Sequence, residues 1–186
     1  ARDAVISAPD IDSIYEVPLN FERDRLGDRI LEKFNLAARP SNLQRWQSMV
    51  DRLKSAQQKV NIGIVGKYFA TGDFCLSDSY VSVIESIKHA CAVNDCQANL
   101  TWLNTEEIEE QGTAILKQFD GIIVPQGWGS RGSEGKIKTI QYCRENKVPY
   151  FGLCYGMQMA VIEFARHVAK LKGANSTEFN TKTAHS

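Results

Sequence analysis

The sequence has no excess of charge of either sign. Lysine and arginine together number 22, aspartate and glutamate also number 22, and the formal net charge is zero. Proteins that bind nucleic acid through its phosphates usually carry a clustered basic excess. We therefore expect no nucleic-acid partner for this chain.

Paired cysteines and long apolar runs are also lacking. The five cysteines are an odd number and form no C-x-x-C motif, which argues against a disulfide framework and a structural zinc site. We expect no metal site in this chain. No apolar run is long enough to span a bilayer, and no signal-peptide pattern is found. These absences favour a cytoplasmic protein with no membrane partner.

What the sequence does contain is four short apolar runs that alternate with stretches of helical periodicity. The runs are "VNIGIVG" from Val60, "ANLTWL" from Ala98, "GIIV" from Gly121 and "VPYFGL" from Val148. Strands that are apolar throughout, each followed by a helix, predict a parallel sheet with helices on both faces. The predicted fold class is therefore α/β.

The first 58 residues have a different pattern. Residues 1–19 contain two prolines and predict extended or loop structure. Two amphipathic helices are predicted next, one over residues 20–34 and one after Ser41, which is a candidate N-cap. The polar stretch 54–59 predicts a linker to the α/β part.

Cys154 stands where the fourth apolar run ends and a helical pattern begins. Gly152 and Gly156 flank it in a G-x-C-x-G pattern, the cysteine form of a nucleophile elbow. Amide N–H groups at a helix N-terminus stabilise a thiolate, and the N–H of Tyr155 would face a developing oxyanion. A cysteine is also often a small buried core residue, but the position between a strand and a helix favours a nucleophile.

A glycine-rich loop, "PQGWGSRGSEGK" over residues 125–136, follows the third apolar run. Carboxyl ends of parallel strands meet at one edge of a sheet, so we expect this loop beside Cys154. Its backbone N–H groups, with Gly127 the first candidate, would complete an oxyanion hole. A phosphate-binding loop is the alternative, although the spacing fits neither the P-loop nor G-x-G-x-x-G.

Together these segments resemble the class I glutamine amidotransferase domain of the CTP synthase family. The elbow, continued to Gln158, has the G-x-C-x-G-x-Q form of class I domains. Similar stretches cover nearly the whole chain: "VISAPDIDSIYEVPL", "VGKY", "DSYVSVIESIKHA", "GWGSRGSEGK", "MQMAVIEFARHV" and "GANSTEF". The resemblance implies a flavodoxin-like amidotransferase fold in a fragment of a longer enzyme. Residues 1–58 would be the end of a synthetase domain and a helical interdomain linker, and residues 59–186 an incomplete N-terminal part of the amidotransferase domain.

The resemblance also implies a function for particular residues. Members of the family hydrolyse glutamine through a cysteine thioester and deliver ammonia for ATP-dependent amination of UTP to CTP. Cys154 would be the catalytic nucleophile, with an oxyanion hole from Gly127 and Tyr155. The implied glutamine-binding residues are Gly127, Tyr155, Gly156, Met157, Gln158 and Glu178, and the implied regulatory lid is Arg131, Gly132 and Glu134.

Cofactors and partners follow from the same resemblance. No cofactor is implied for this chain, whereas the full enzyme uses ATP and Mg²⁺ and has GTP as an activator. The implied partners are glutamine, the synthetase domain of the same enzyme and further copies in a homotetramer. Lys67 and Tyr68 match a segment near the interface with the synthetase domain.

The sequence departs from the family at several positions. Gln126 replaces the first of two adjacent glycines, Tyr155 stands where leucine is usual, and the loop between Tyr68 and Asp78 is longer than usual. The first two changes lie around the expected oxyanion hole. The side chain of Gln126 is expected to restrict the backbone flip that forms the oxyanion hole.

The histidine base of the family's triad is not recognisable in this chain. His89 and His167 fall on helical stretches, and His185 is not followed by the glutamate of an H-x-E motif. Three interpretations therefore stay open. The chain is the amidotransferase part of a CTP synthase, or a catalytically silent amidotransferase-like module with a binding or assembly role, or another cysteine-elbow hydrolase of similar fold.

Overall fold

The computed structural model of the chain describes residues 5–67, 70–71, 74–75 and 80–186. A four-stranded parallel sheet forms its centre. The strands are β1 (Gln58–Gly66), β4 (Cys96–Asn104), β5 (Gly121–Val124) and β6 (Tyr150–Gly152), in the spatial order β4-β1-β5-β6. A short antiparallel pair, β2 (Ala70–Thr71) and β3 (Phe74–Cys75), lies between β1 and β4 in sequence. The four predicted strands and the parallel sheet are confirmed.

Helices precede the sheet in sequence and connect its strands. In chain order they are α1 (Val17–Arg23), α2 (Leu26–Lys33), α3 (Gln44–Ser55), α4 (Val81–Val93), α5 (Thr105–Gln111), α6 (Ser133–Asn146) and α7 (Tyr155–Glu163). Helix α7 continues directly into a π-helix over Phe164–Val168. Residues Ile14–Glu16 and Ala114–Gln118 form 3₁₀ helices.

Helices cover both faces of the sheet, as the apolar strands predict. Ile64 and Val65 of β1 are both fully buried and point to opposite faces because side chains alternate along a strand. Ile64 packs with residues of α4 such as Val83 and Ile87. Val65 packs in a second cluster with Ile108 of α5 and other apolar residues.

The register of the sheet brings two loops to the same level. Strand β1 pairs with β4 from Gln58↔Cys96 to Gly66↔Asn104, and β5 pairs with β6 from Ile122↔Tyr150 to Val124↔Gly152. All these pairings are parallel. Because Val124 is opposite Gly152, the glycine-rich loop after β5 and the turn after β6 leave the sheet side by side.

The predictions for the N-terminal part were partly wrong. Loop structure was expected over residues 1–19, but α1 begins at Val17 and includes Pro18 in its first turn. Proline is tolerated there because the N–H it lacks has no partner within the helix. The helix predicted over residues 20–34 is divided, because Arg25 has a φ of 55° between α1 and α2.

The start of α3 and the expected linker also differ from the prediction. Ser41 is not the N-cap, since α3 begins at Gln44, whose N–H donates to Oδ1 of Asn42 at 3.0 Å. The linker expected over residues 54–59 is mostly regular structure, because α3 runs to Ser55 and β1 begins at Gln58. The domain boundary after residue 58 stays a prediction. Tyr68 and Asp78, with most of the loop between them, lie outside the described residues.

Gly135 gives a direct test of how α6 packs on α5. A Cβ at this position would lie 2.0 Å from the carbonyl oxygen of Thr105, which is backbone and cannot move aside. We expect Gly135→Ala to lower the free energy of unfolding by about 2 kcal/mol, within the usual range for overpacking. Urea denaturation followed by circular dichroism measures the change.

The matched control is Gly27→Ala in α2. No atom lies within 4 Å of a Cβ built there, and alanine is favoured over glycine in a helix by about 1 kcal/mol. The control should unfold at the same or a slightly higher urea concentration than the parent chain. Equal midpoints for the Gly135→Ala variant and the parent would contradict the close packing of α5 and α6.

Candidate active site

Cys154 lies at the tight turn between β6 and α7. Its backbone has φ 51° and ψ −101°, a conformation that is strained for a residue with a side chain. The N–H of Leu153 donates to the carbonyl of Val124, and the N–H of Gly156 donates to the carbonyl of Leu153, both at 2.9 Å. Cys154 is a free and exposed cysteine. The strand–turn–helix arrangement indicated by the G-x-C-x-G pattern is present, and the nucleophilic role stays a prediction.

The two glycines of the pattern are required by close backbone contacts. A Cβ at Gly156 would lie 2.0 Å from the carbonyl oxygen of Val124. A Cβ at Gly152 would lie 2.7 Å from the backbone of Gly156 and of Met157. Any larger residue would force α7 away from the sheet and move Cys154 with it.

Helix α7 is fixed by an apolar face and by one buried carboxylate. Met159 and Ile162 are almost fully buried against α6, and burial of such side chains stabilises by about 2 kcal/mol each. Glu163 is 1% exposed, and its oxygens accept three hydrogen bonds from Arg144 at 2.8–3.1 Å. The nearby Nδ1 of His167 lies 3.2 Å from Oε1 of Glu163. A carboxylate paired in this way is held in one position.

The ammonium group of Lys67, which follows β1, contacts the glycine-rich loop. It donates hydrogen bonds to the carbonyl oxygens of Trp128, of Gly129 at 3.5 Å and of Arg131 at 3.2 Å. Three carbonyls of one loop therefore converge on a single cation. This arrangement fixes the backbone that follows Gly127, which is itself buried.

The side chain of Tyr155 holds the same loop from the other side. It is 2% exposed, and its hydroxyl donates to the carbonyl oxygen of Gly129. Its ring makes an edge contact with Phe179, with ring centroids 6.0 Å apart. The loop, the elbow and the segment with Glu178, which directly precedes Phe179, therefore meet around Tyr155.

Lys136 of α6 is a buried cation without a hydrogen-bond acceptor in the described part of the chain. Its side chain is 0% exposed, and Nζ has no hydrogen-bond partner there. The ammonium lies 4.7 Å from the centre of the Tyr155 ring, a cation–π distance. Burial, and secondarily the charge of Lys67, lowers the pKa of Lys136 to about 8.

The remaining predicted glutamine-binding residues lie in two places, at the start of α7 and in the segment that contains Glu178. Met157 and Gln158 lie in the first turn of α7, and Met157 is 52% exposed. Oε1 of Gln158 is buried and accepts no hydrogen bond in the described ranges. Glu178 is exposed, and its N–H donates to Oγ of Ser176 at 3.1 Å.

The three predicted lid residues are tied to neighbouring elements. Arg131 pairs with Glu106 of α5 at 3.2 Å. Glu134 pairs with Arg166 at 2.9 Å. Gly132 has a φ of 71°, and a Cβ there would lie 2.1 Å from Oγ1 of Thr105.

None of the three histidines hydrogen-bonds to Cys154 in the described part of the chain. Nε2 of His89 lies 2.7 Å from the hydroxyl of Tyr15, and His167 contacts Glu163 roughly 20 Å along the helix from Cys154, at 1.5 Å per residue. His185 is exposed, and its backbone carbonyl accepts from Asn175. Among the described residues, Cys154 has no side-chain hydrogen bond.

The described part of the chain shows neither a metal-binding cluster nor a membrane-spanning helix. No three His, Cys, Asp or Glu side chains there come together in a way that could hold a metal ion. No helix within the described ranges has both the length and the apolar character needed to cross a bilayer. Neither observation assigns a ligand to the site.

A cavity of about 740 Å³ lies beside Cys154, on the face of the sheet that carries α4. Most of its lining is apolar. A free amino acid carries two charges, and burying them without partners would be unfavourable. The cavity is therefore a poor fit for an amino-acid ligand. Cavity residues include Val60, Ile62, Val83, Ile87, Ile123, Phe151 and Leu153.

Sequence comparison assigns the chain to a family. The sequence model described as "Glutamine amidotransferase class-I" matches residues 75–185. This match covers more than half of the chain, and the chain belongs to the class I glutamine amidotransferase family.

Within this family, the chain is similar to individual proteins named CTP synthase. The chain is 47% identical over 184 residues to the CTP synthase of Pyrococcus abyssi, a match that covers 99% of this chain and 33% of the relative. It is 48% identical over 186 residues to that of Carboxydothermus hydrogenoformans, covering 100% and 34%. The chain thus spans about a third of the length of these relatives.

A solved structure described as the glutaminase domain of Trypanosoma brucei CTPS with bound acivicin has a similar fold. The TM-score is 0.60 at 38% sequence identity, and the match covers 68% of this chain and 48% of that one. The fold expected from the resemblance is therefore confirmed.

Sequence reasoning missed several side chains around Tyr155. It gave Tyr155 roles in the oxyanion hole and in glutamine binding but did not predict that its hydroxyl holds the loop after β5, and it did not single out Lys136. The spacing of Lys136, Thr139, Ile140 and Cys143 is that of one helical face, and all four are buried. This spacing could have indicated a buried lysine, whereas contacts between distant segments leave no comparable signal.

Burial of Lys136 predicts a specific pH dependence of stability. Its folded-state pKa of about 8 lies below the usual 10.5, so between these values the unfolded chain binds more protons and stability rises with pH. We expect Lys136→Met to be more stable than the parent at pH 7, by up to about 3 kcal/mol. That advantage should shrink as pH approaches 10. Urea midpoints measured across this range give the difference.

The control for an added methionine is Gln141→Met on the same helix. Glutamine does not titrate, so the difference between this variant and the parent should be the same at every pH. A Lys136→Met chain that is less stable than the parent by a constant amount would overturn the expectation. It would mean that the contact with the Tyr155 ring outweighs desolvation of the ammonium.

Proposed function

We propose that the chain is the glutamine amidotransferase part of a CTP synthase and that Cys154 hydrolyses glutamine through a thioester. The observation that supports this most directly is the exposed Cys154 at a glycine-limited turn between a parallel strand and a helix. Two further observations support the proposal. The chain belongs to the class I family, and nearly all of its residues align with proteins named CTP synthase.

The proposed chemistry begins with the thiolate of Cys154. Its sulfur bonds to the side-chain amide carbon of glutamine, and the carbonyl electron pair moves to oxygen, where the N–H groups of Tyr155 and Gly127 stabilise the charge. The C–N bond then breaks, and the nitrogen leaves as ammonia after gaining the proton that the Cys154 thiol gave up when the thiolate formed. Water attacks the thioester, releases glutamate and restores the thiol.

Substrate binding is assigned to the start of α7 and to the segment around Glu178. Gly156, Met157 and Gln158 line the first turn beside the cysteine, and the unpaired buried Oε1 of Gln158 can accept from an amide N–H. The exposed carboxylate of Glu178 would pair with the amino group of glutamine. These roles agree with the contact between Phe179 and Tyr155.

The rest of the enzyme's activity is proposed from the family. Ammonia would pass to a synthetase domain that uses ATP and Mg²⁺ to convert UTP to CTP, with residues 1–58 linking the two parts. GTP would act through the lid residues Arg131, Gly132 and Glu134. A homotetramer is proposed for the full-length enzyme. The free cysteines of the described residues fit a reducing cytoplasm.

A catalytically silent module with a binding or assembly role is the second candidate. Within the described ranges, no histidine contacts Cys154, and the exposed side chain of Gln126 occupies a loop position where the family usually has glycine. Loss of a general base typically slows such a reaction by about 10²–10⁴-fold. This candidate keeps the fold and the binding site but not turnover.

Alkylation of Cys154 tests glutamine binding without requiring turnover. We expect glutamine at ten times its Kd to slow the reaction of Cys154 with iodoacetamide about tenfold, because only the free fraction reacts. Peptide mass spectrometry resolves Cys154 from Cys143, which is 1% exposed and serves as the internal control. Asparagine, one methylene shorter, should protect less. Equal alkylation with and without glutamine would overturn the proposed binding function.

Glutamate release from glutamine separates the two candidates. Release that is lost in Cys154→Ala supports the enzyme, and His185→Asn then tests whether the exposed imidazole serves as the base. Protection of Cys154 without any release supports the silent module. Release that persists in Cys154→Ala would contradict the proposed nucleophile.

A further inference from the structure

Arg166 joins two segments that are far apart in sequence. Its Nη1 donates to both carboxylate oxygens of Glu134, at 2.9 and 3.0 Å. Its Nε donates to the carbonyl oxygen of Ala174 at 2.6 Å. One planar guanidinium therefore contacts the start of α6 and the segment that leads to Glu178.

The geometry of this contact suits an arginine side chain. The N–H donors of arginine lie in one rigid plane. Because Arg166 binds the Glu134 carboxylate and the Ala174 carbonyl through that plane, a movement of one acceptor affects the other. The side chain of Arg166 is 17% exposed and that of Glu134 is 48% exposed. The arginine end of the pair is therefore partly shielded from solvent, which limits screening of the interaction.

Arg166 belongs to the π-helix that ends the long helix after Cys154. The wider turn is seen in the bond from the N–H of Ala169 to the carbonyl of Phe164, five residues earlier, at 2.9 Å. Single π-turns occur often at functional positions, because they change the direction in which the following side chains point. In this protein the irregular turn carries the residue that bridges the two segments.

The second segment is short and well anchored at Ala174. Ala174 is 3% exposed, and its N–H donates to the carbonyl of Leu171 at 3.1 Å. Four residues later, Glu178 is held through its N–H by Ser176. A shift of the Ala174 backbone would therefore be passed along a few bonds to Glu178.

We propose that Arg166 is a positioning residue that couples the lid to glutamine binding. When Glu134 is displaced, Arg166 loses its charged partner, its hold on the carbonyl of Ala174 loosens, and Glu178 loses a fixed position. A ligand that moves the lid would in this way change the affinity for glutamine. The inference rests on the proposed function, in which Glu178 contacts glutamine.

Hydrogen–deuterium exchange of the whole chain tests the coupling directly. The Glu134 carboxylate accepts hydrogen bonds from Arg166, so Glu134→Gln should act through Arg166 and speed exchange of the amides over residues 174–179 by about threefold or more. The matched control is Glu145→Gln, also an exposed glutamate of α6 paired with an arginine, Arg144, at 3.3 Å. The control should leave residues 174–179 unchanged. Unchanged exchange there in Glu134→Gln would overturn the proposal.

The glutamine concentration that half-protects Cys154 from iodoacetamide provides the functional readout. Arg166→Met should raise this concentration about tenfold. Arg166→Lys keeps the positive charge but lacks the planar guanidinium, so it should give an intermediate value. The alkylation rate without glutamine should stay at the parent's value, because the elbow is not touched. A change in that rate would indicate general loosening and contradict a positioning role.

The two experiments distinguish failure of the inference from failure of the proposed function. If glutamine does not protect the parent chain, the proposed function fails and the exchange data alone decide whether the lid and the segment are coupled. If glutamine protects and Arg166→Met is protected equally, the inference fails while the function stands. Glu134→Gln alters an exposed side chain, so its exchange data remain decisive should Arg166→Met not fold.

Discussion

The close approach of α7 to β5 is the constraint on which the candidate site depends. Gly156 lies so near the carbonyl of Val124 that any side chain would separate the helix from the strand. This contact forces the sharp turn at Cys154, gives that residue its positive φ, and aims the helix N-terminus at the edge of the sheet. Tyr155, the first residue of the helix, is then placed where its hydroxyl reaches the loop after β5.

Local signals in the sequence predicted the sheet and the elbow well. Apolar runs bounded by glycine or polar residues identify buried strands because both faces of the sheet are covered. The G-x-C-x-G pattern identified the turn because the spacing of the glycines is itself the steric requirement. The start of the first helix was predicted three residues too late, because a proline such as Pro18 breaks a helix interior but is acceptable in the first turn.

Contacts between distant segments were beyond prediction from one sequence. Lys67 meets the loop carbonyls more than sixty positions away along the chain, and Arg166 reaches Glu134 across 32 positions. Neither pairing depends on residue spacing, and any of the many lysines and arginines would fit the pattern equally well. Only the fold brings these partners together.

The strands of the sheet are paired over different lengths, and this difference affects how stable each half of the sheet is. Strands β1 and β4 share a nine-residue ladder with α4 between them in sequence. The ladder between β5 and β6 has three pairs. The half of the sheet that carries Cys154 therefore has fewer backbone bonds to keep it closed, and it should belong to a separate, less stable cooperative unit. The reactive end of the molecule is then the part expected to open first, while the half with β1 and β4 stays paired.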